Sequence, residues 1–253
     1  MYGEPDVIGK FQLEQTKMEK LFEIIYEDTD LLVINKPAGL VCHPTKGDEL
    51  SSLISRARLH LGFQAHIINR LDRETSGVIL LAKNSPVAGE LGKIFEGRMI
   101  EKKYLAIVHG HIESNEGLID APLGKDEASC IAIKDCVRPK GAASQTRFVT
   151  LERFESSGKK FSLLQMMPLT GRKHQIRIHL RHIGHPIVGD KLYGANEMHY
   201  LAFVQSRLTE NDKQELILPF HALHACELSF LWRGEKRIFR CEPEKWFCDF
   251  ATT

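Results

Sequence analysis

The sequence predicts an α+β fold with a mixed, mainly antiparallel central sheet that is flanked by helices and loops. Strand patterns follow one another as hairpins, and they do not alternate strictly with helices as in a doubly wound parallel fold. The 253 residues, of which 43% are hydrophobic, are enough to bury the core of one large domain. We therefore expect an N-terminal extension at residues 1–20 and a single domain at residues 21–250.

The N-terminal half predicts three strands and two helices. Short apolar runs bounded by polar turn residues predict the strands, at residues 22–26, 31–34 and 78–82. Apolar residues at helical spacing predict a helix that Asp48 caps and Gly62 ends. A second helix is predicted to begin with Ser85 as its cap and Pro86 at its first position, and to end near Gly97.

The C-terminal half predicts an interior strand followed by two hairpins. Residues 102–109 place apolar side chains on both faces, which is typical of a strand inside a sheet. Weak periodicity at residues 112–143 predicts loops, with short strands near residues 117–122. Two pairs of strand-like runs separated by turn residues predict the hairpins: residues 146–154 with 161–167, and 223–231 with 236–241.

A basic segment begins the next predicted helix. Ile176 and Leu180 share one helical face, Arg177 projects elsewhere, and Gly184 ends the helix. The segment 172–182 contains seven Arg, Lys and His residues and no acid, so it can hold phosphates. The alternative is an ordinary solvated helix face. A further helix is predicted near residues 198–208.

The composition argues against several classes of protein. A net charge of +1 does not suit a protein that coats nucleic acid by bulk charge. The opening segment has no apolar block typical of a secretory signal, and the apolar runs are too short for membrane helices, so we expect a cytoplasmic protein. The six cysteines form no C-x-x-C pair and His179, His182 and His185 lack zinc-finger spacing, so we expect reduced thiols and no metal.

Three separated residues are candidates for chemistry. Asp72 lies in a polar turn that leads directly into an apolar strand, where an acid is either a turn cap or a reactive group. Tyr104 begins a strand after two lysines, and the alternative for it is a core tyrosine with a satisfied hydroxyl. Arg177 lies on the basic helix and can hold a carboxylate in its ionised form.

Together with their surroundings, these residues resemble the RluA-type pseudouridine synthases. Five stretches match in the family's order, at residues 35–40, 70–77, 103–104, 170–180 and 184–194. An ordered match of five parts is far more specific than an isolated Arg-Leu-Asp. The resemblance implies the pseudouridine synthase fold, with residues 21–250 as the catalytic domain.

The resemblance implies an enzyme that detaches a uracil from its ribose in ribosomal RNA or tRNA and rejoins it through carbon 5. It implies no cofactor and no metal. Asp72 matches the family's essential aspartate, and Arg177 matches its partner. Tyr104 matches a tyrosine that stacks on uracil and suits removal of the carbon 5 proton, either directly or through water. Whether the carboxylate attacks the sugar or removes a sugar proton stays open, although both need an ionised Asp72.

RNA contacts also follow from the resemblance. A uridine in folded RNA must flip out of its stack to reach the carboxylate, and Arg70 matches the arginine that fills the vacated place. The basic helix start is predicted to hold phosphates without reading sequence. The other candidate RNA-binding residues are Lys36, Thr75, Arg172, Lys173 and His174.

Two features differ from most relatives. Asn69 stands where they have histidine directly before Arg-Leu-Asp, and the chain lacks room before residue 20 for the small N-terminal RNA-binding domain that many carry. We therefore expect a stand-alone member that acts as a monomer on RNA. The alternatives are a non-catalytic RNA-binding module and a glycoside hydrolase, which would need a second carboxylate such as Glu74.

Overall fold

The computed structural model describes residues 22–44 and 51–252 as strands and helices around a mixed sheet. The strands are β1 (Glu23–Glu27), β2 (Leu31–Lys36), β3 (His66–Ile67), β4 (Ser76–Ala82), β5 (Ile100–His109), β6 (Glu116–Asp120), β7 (Leu123–Lys125), β8 (Asp135–Val137), β9 (Gln145–Ser156), β10 (Lys159–Pro168), β11 (Leu223–Trp232) and β12 (Glu235–Arg240). The helices are α1 (Leu53–Leu61), α2 (Ser85–Glu96), α3 (Gln175–His182), α4 (Met198–Val204), α5 (Glu210–Leu216) and α6 (Lys245–Ala251).

The predicted α+β class is confirmed by the pairing of the strands. The main sheet runs in the order β1-β2-β4-β11-β5-β10-β9-β6, with β3 beside β4 and β12 beside β11. β4 and β11 pair in parallel, whereas the other pairs of this sheet are antiparallel. Both predicted hairpins are present, and β5 lies inside the sheet between β11 and β10, as its two apolar faces predict.

The strands β2 and β4 are buried on both faces, which explains their continuous apolar runs. Leu32, Ile34, Ile79 and Leu81 face α1 on one side. The alternate residues of the two strands pack against α2 and the β11–β12 hairpin on the other side. The sheet between the two helices therefore forms a rigid base for the turn that precedes β4.

Gly77 brings β4 close enough to β11 for the parallel pair. Its φ is +113°, and a Cβ atom here would lie 2.3 Å from the backbone oxygen of Ala225. A larger residue would collide with the neighbouring strand and would also strain the backbone. The glycine of the Thr-Ser-Gly segment therefore fixes the sheet directly behind the Asp72 turn.

Two helix starts differ from the predictions. The helix α1 begins after Ser52, whose hydroxyl accepts the backbone N–H of Ser55, while the predicted cap, Asp48, lies outside the described residues. The cap of α2 is Asn84 rather than Ser85. The Asn84 side-chain oxygen accepts the N–H of Val87, the third residue of the helix, as a serine hydroxyl could, so adjacent capping residues compete.

The segment 172–182 was predicted as a basic phosphate-holding surface or a solvated helix face, but residues 175–180 of α3 are all buried, so only the ends of the segment can meet RNA or solvent. Arg177 and His179 are tolerated inside because each has buried hydrogen-bond partners. The predicted helix near residues 198–208 ends earlier, at Val204, and α5 and α6 were not predicted. A capping box between Thr209 and Asp212 was the available signal for α5.

The parts of the chain that the structure describes contain no helix long and apolar enough to cross a membrane. Within those same parts, His, Cys, Asp and Glu form no group of three or more that could hold a metal ion. All six cysteines lie in the described ranges, and all are free.

Candidate active site

Asp72 lies in the turn between β3 and β4, and the turn is tied to the sheet by Asn69. The Asn69 side chain donates to the backbone oxygen of Val78 at 3.1 Å and accepts the N–H of Leu80 at 2.7 Å. It is 8% exposed, and its side-chain amide pairs with the backbone of β4 as a neighbouring strand would. Asn69 therefore holds the turn in place.

Arg177 joins Asp72 to a second, fully buried carboxylate. Its Nη1 donates to Asp72 Oδ2 at 2.7 Å, while Nε and Nη2 donate to the two oxygens of Asp190 at 2.7 and 2.9 Å. Asp190 Oδ1 also accepts the backbone N–H groups of Leu192 and Tyr193. Because Asp190 binds the edge of the guanidinium formed by Nε and Nη2, the orientation of Arg177 is fixed with Nη1 pointing at Asp72.

These contacts keep both carboxylates ionised. Burial, the largest single influence, would raise the pKa of Asp72, but the charge and hydrogen bond of Arg177, together with the nearby His174 and His221, lower it below its ordinary value. The same balance lowers the pKa of Asp190. Burial alone would lower the pKa of Arg177, but the charges and hydrogen bonds of Asp190 and Asp72 raise it above its ordinary value. The side chain of Asp72 is 29% exposed, so a charged oxygen faces solvent at the site.

Tyr104 on β5 lines the same cavity as Asp72, which has a volume of about 320 Å³. Arg70, Arg172, His174, Ile176, Arg177 and Leu223 are also among its lining residues. The Tyr104 hydroxyl makes no hydrogen bond within the described residues. Burial and the charge of Asp72 raise the pKa of Tyr104, so the phenol is neutral near pH 7. The structure thus brings the three predicted chemical residues together.

Four predicted RNA-binding residues lie around the mouth of the site. Arg70 is exposed and has no hydrogen bond or ion pair to any other described residue. Arg172 is exposed and makes one long contact, from Nε to the Ala143 oxygen at 3.4 Å. Lys173 is exposed but pairs with Asp135 at 2.9 Å. His174 lies 3.8 Å from Asp72 Oδ1, with φ of 55°.

His174 is an uncharged part of the site. Its Nδ1 lies 2.9 Å from the hydroxyl of Tyr193, and burial lowers its pKa to about 4 even though Asp72 opposes that shift. It can therefore exchange hydrogen bonds with RNA, but it does not supply a positive charge at neutral pH.

Two predicted RNA-binding residues do not reach the surface. Lys36 is fully buried and its Nζ donates to the backbone oxygens of Pro37, Leu40 and Arg73 at 2.8 to 3.0 Å. Burial lowers its pKa to about 8. Thr75 is 2% exposed, and its hydroxyl lies 2.7 Å from His221 Nε2. All three ammonium protons of Lys36 are used inside the protein, so it supports the loop before the site and does not contact phosphate here.

Sequence reasoning missed the groups behind Arg177. Asp190 lies in the matched stretch 184–194, but no periodic pattern marks it. Its role comes from its contact with Arg177, which lies thirteen residues earlier on α3. His221 was also missed; it is 1% exposed, and burial with the charge of Arg177 lowers its pKa to about 3. The available sequence signal for Asp190 was a single acid directly after the turn residue Gly189.

Comparison with known proteins assigns the chain to a family. Residues 30–182 match the RNA pseudouridylate synthase family. The chain is 40% identical over 213 residues to tRNA pseudouridine synthase C of Haemophilus ducreyi. The match covers 80% of this chain and 84% of that protein. It is 38% identical over 189 residues to ribosomal large subunit pseudouridine synthase C of Vibrio parahaemolyticus, and this match covers 71% of this chain and 56% of that protein.

The solved structures agree with the sequence matches. Human RNA Pseudouridylate Synthase Domain Containing 1 superposes with a TM-score of 0.71 at 28% identity, covering 88% of this chain and 83% of that one. The chain spans only 57% and 60% of two bacterial relatives described as uncharacterized RNA pseudouridine synthases. The chain belongs to the RNA pseudouridylate synthase family.

Proposed function

We propose that this protein is an RNA pseudouridine synthase that isomerises specific uridines in ribosomal RNA or tRNA. The observation that carries the proposal is the ionised Asp72, which Arg177 holds at 2.7 Å beside a cavity that also contains Tyr104. Family membership and relatives named for tRNA and ribosomal RNA support the choice of substrate.

The reaction conserves the elemental composition of the uridine. The bond from N1 to the sugar C1′ breaks, the uracil turns, and a bond from C5 to C1′ forms. The C5 proton then leaves and N1 gains a proton, so the mass does not change. The Asp72 carboxylate assists cleavage either by bonding to the electron-poor sugar carbon or by removing a sugar proton.

Tyr104 has a positioning role in this proposal. A neutral phenol ring beside Asp72 can stack on the flipped uracil, whereas its raised pKa disfavours a phenolate that would take the C5 proton directly. Of the two routes that the resemblance leaves open, removal of the proton through water therefore fits this site better.

The RNA is held by exposed cations around the cavity. Arg70 is unpaired among the described residues and fills the place of the flipped base, while Arg172 and Lys173 hold phosphates. We further propose that residues 21–250 act as one catalytic domain, as a cytoplasmic monomer, without a cofactor or metal.

The test is conversion of uridines in total RNA, read by carbodiimide-induced stops of primer extension. The wild type is expected to modify specific uridines, and Asp72→Asn is expected to abolish modification while it still binds RNA. Asn keeps the shape, and Arg177 keeps its pair with Asp190, so the variant should fold. RNA binding without conversion by the wild type would contradict the proposal and favour the non-catalytic module.

For the glycoside hydrolase alternative, the two nearest candidates for the second carboxylate among the described residues, Glu74 and Asp190, are already committed to other contacts. Glu74 is 7% exposed, accepts from Lys191 Nζ at 2.7 Å, and does not line the cavity that Asp72 shares with Tyr104. Asp190 is committed to Arg177. Neither acid is placed to protonate a leaving group opposite Asp72.

A further inference from the structure

A second cavity lies beside the catalytic one and shares Arg70, Asp72 and Arg177 with it. Its volume is about 520 Å³, and we call it the α4 cavity because Tyr200, Phe203 and Val204 of α4 form one wall. This volume lies within the range of about 300–1,000 Å³ that is typical of small-molecule sites. The reaction at Asp72 and Tyr104 leaves this cavity without a use.

The α4 wall has the character of a stacking surface. Tyr200 and Phe203 are three residues apart and so lie on one face of the helix. Both rings are only partly buried, and Tyr200 makes no hydrogen bond through its hydroxyl within the described parts of the chain. The Arg73 guanidinium lies 5.1 Å from the centre of the Phe203 ring. Aromatic rings and a guanidinium plane are the groups on which nucleobases stack.

The charge around the α4 cavity suits an anionic chain. Its lining contains the cations Arg70, Arg73, Arg177 and Lys191 and the carboxylates Asp72 and Glu74. Lys191 is paired with Glu74 and Arg177 with Asp72, whereas the exposed Arg70 and Arg73 form no ion pair with any acid in the described parts of the chain. A positively charged rim over an aromatic wall is typical of single-stranded nucleic acid sites.

We propose that the α4 cavity holds an unpaired nucleobase that neighbours the target uridine along the RNA strand. The base stacks on Tyr200 and Phe203, and the phosphate between the two nucleotides lies against Arg70 and Arg73. Continuity of the two cavities through Asp72 and Arg70 favours RNA over a separate ligand. The inference rests on the proposed function, because it takes RNA as the substrate.

The test compares two RNA probes and two kinds of leucine variant. The probes are a fluorescein-labelled ten-nucleotide uridine RNA and a base-free ribose-phosphate chain of the same length and charge. Tyr200→Leu and Phe203→Leu remove the aromatic faces but keep apolar volume. Phe63→Leu is the matched control, since Phe63 is 50% exposed and lies outside both cavities. Binding is read by fluorescence anisotropy, and thermal unfolding checks the fold.

Each α4 variant is expected to bind the uridine RNA about tenfold more weakly than the wild type. The affinity for the base-free chain should stay within about twofold, and Phe63→Leu should behave as the wild type on both probes. Wild-type affinity of both α4 variants for the uridine RNA would overturn the inference. An equal loss on the base-free chain would also overturn it, because the lost contact would then be electrostatic.

The binding test separates this inference from the proposed function. A wild type that converts no uridine in total RNA contradicts the proposed function, whereas the anisotropy ratio still reports whether α4 stacks a base. Conversion of uridines together with unchanged binding by the variants contradicts the α4 site alone.

Discussion

The buried side of Asp72 and the solvent side of the same site are built in opposite ways. Behind Asp72, Arg177 and Asp190 have fixed partners at hydrogen-bond distance, and Asp190 is 1% exposed. In front of it, Arg70 and Arg172 are exposed and lack close partners among the described residues. The difference suggests that the reacting carboxylate is positioned before RNA arrives, while the RNA contacts are made only in the complex.

The same division runs through one short motif. From Arg70 to Thr75, the exposed Arg70 and half-buried Asp72 face the cavity and solvent, while the buried Glu74 pairs with Lys191. Thr75 borders the same cavity, but it is buried and its hydroxyl is held by His221. Adjacent residues of similar polarity thus have different roles. Substitutions on the two sides should therefore separate effects on stability and catalysis from effects on RNA affinity.

The largest effect on stability is expected from Asp190→Asn. Removing one charge from a buried pair leaves Arg177 only partly compensated, which should lower the free energy of unfolding by about 3–5 kcal/mol. Because Arg177 then loses its fixed orientation, single-turnover conversion should fall about 100-fold. Urea denaturation and conversion assays measure both effects. Asp120→Asn, an exposed acid, is the control, and wild-type values for Asp190→Asn would show that the buried side is not needed.

The next largest effect is expected from low pH, which should lower the free energy of unfolding through the buried histidines. Burial lowers the pKa of His174 to about 4 and, with the charge of Arg177, the pKa of His221 to about 3, below the unfolded value near 6.5. The unfolded state therefore binds more protons between these values, and stability is lost as pH falls from 6.5. Each histidine contributes up to about 1.4 kcal/mol per pH unit.

Urea denaturation at pH 7, 6 and 5 measures this dependence in the wild type and in His221→Gln. The free energy of unfolding of the variant should fall less steeply with pH, because one buried titrating group has been removed. Equal slopes for the two proteins would mean that His221 does not stay neutral in the folded state.

A smaller loss of stability is expected from Lys36→Met. Three backbone oxygens would lose their donor, which should cost about 1–3 kcal/mol in the free energy of unfolding. RNA affinity of the folded variant should stay within twofold by anisotropy, because Lys36 has no exposed surface. A tenfold loss of RNA affinity with unchanged stability would move Lys36 to the RNA side, as the resemblance first suggested.

The smallest effect on the fold is expected from Arg172→Ala. Its exposed side chain makes one long contact, so the free energy of unfolding should change by less than about 0.5 kcal/mol. RNA affinity should fall for all sequences alike, and the slope of log affinity against log salt should decrease by about 1. An unchanged salt slope would place Arg172 outside the RNA contact.

The sequence predicts the exposed side of the site better than the buried one. The α+β class and the two hairpins were predictable from periodicity, which is a local signal. The meeting of Asp72, Tyr104 and Arg177 was predictable only from the family resemblance. The burial of α3 and Lys36 was not, because a buried charge depends on partners that only the tertiary fold supplies. Helix caps failed by one residue where two capping residues were adjacent.

We propose that Asp72 performs the chemistry, and that the rest of the site folds and binds RNA even when the charge of Asp72 is removed. The most direct test is release of tritium from RNA carrying [5-³H]uridine under single-turnover conditions, since the C5 proton leaves only after the uracil has rejoined. Asp72→Asn should bind the RNA within threefold of the wild type and release no tritium above background. Release at the wild-type rate by the folded variant would contradict the account.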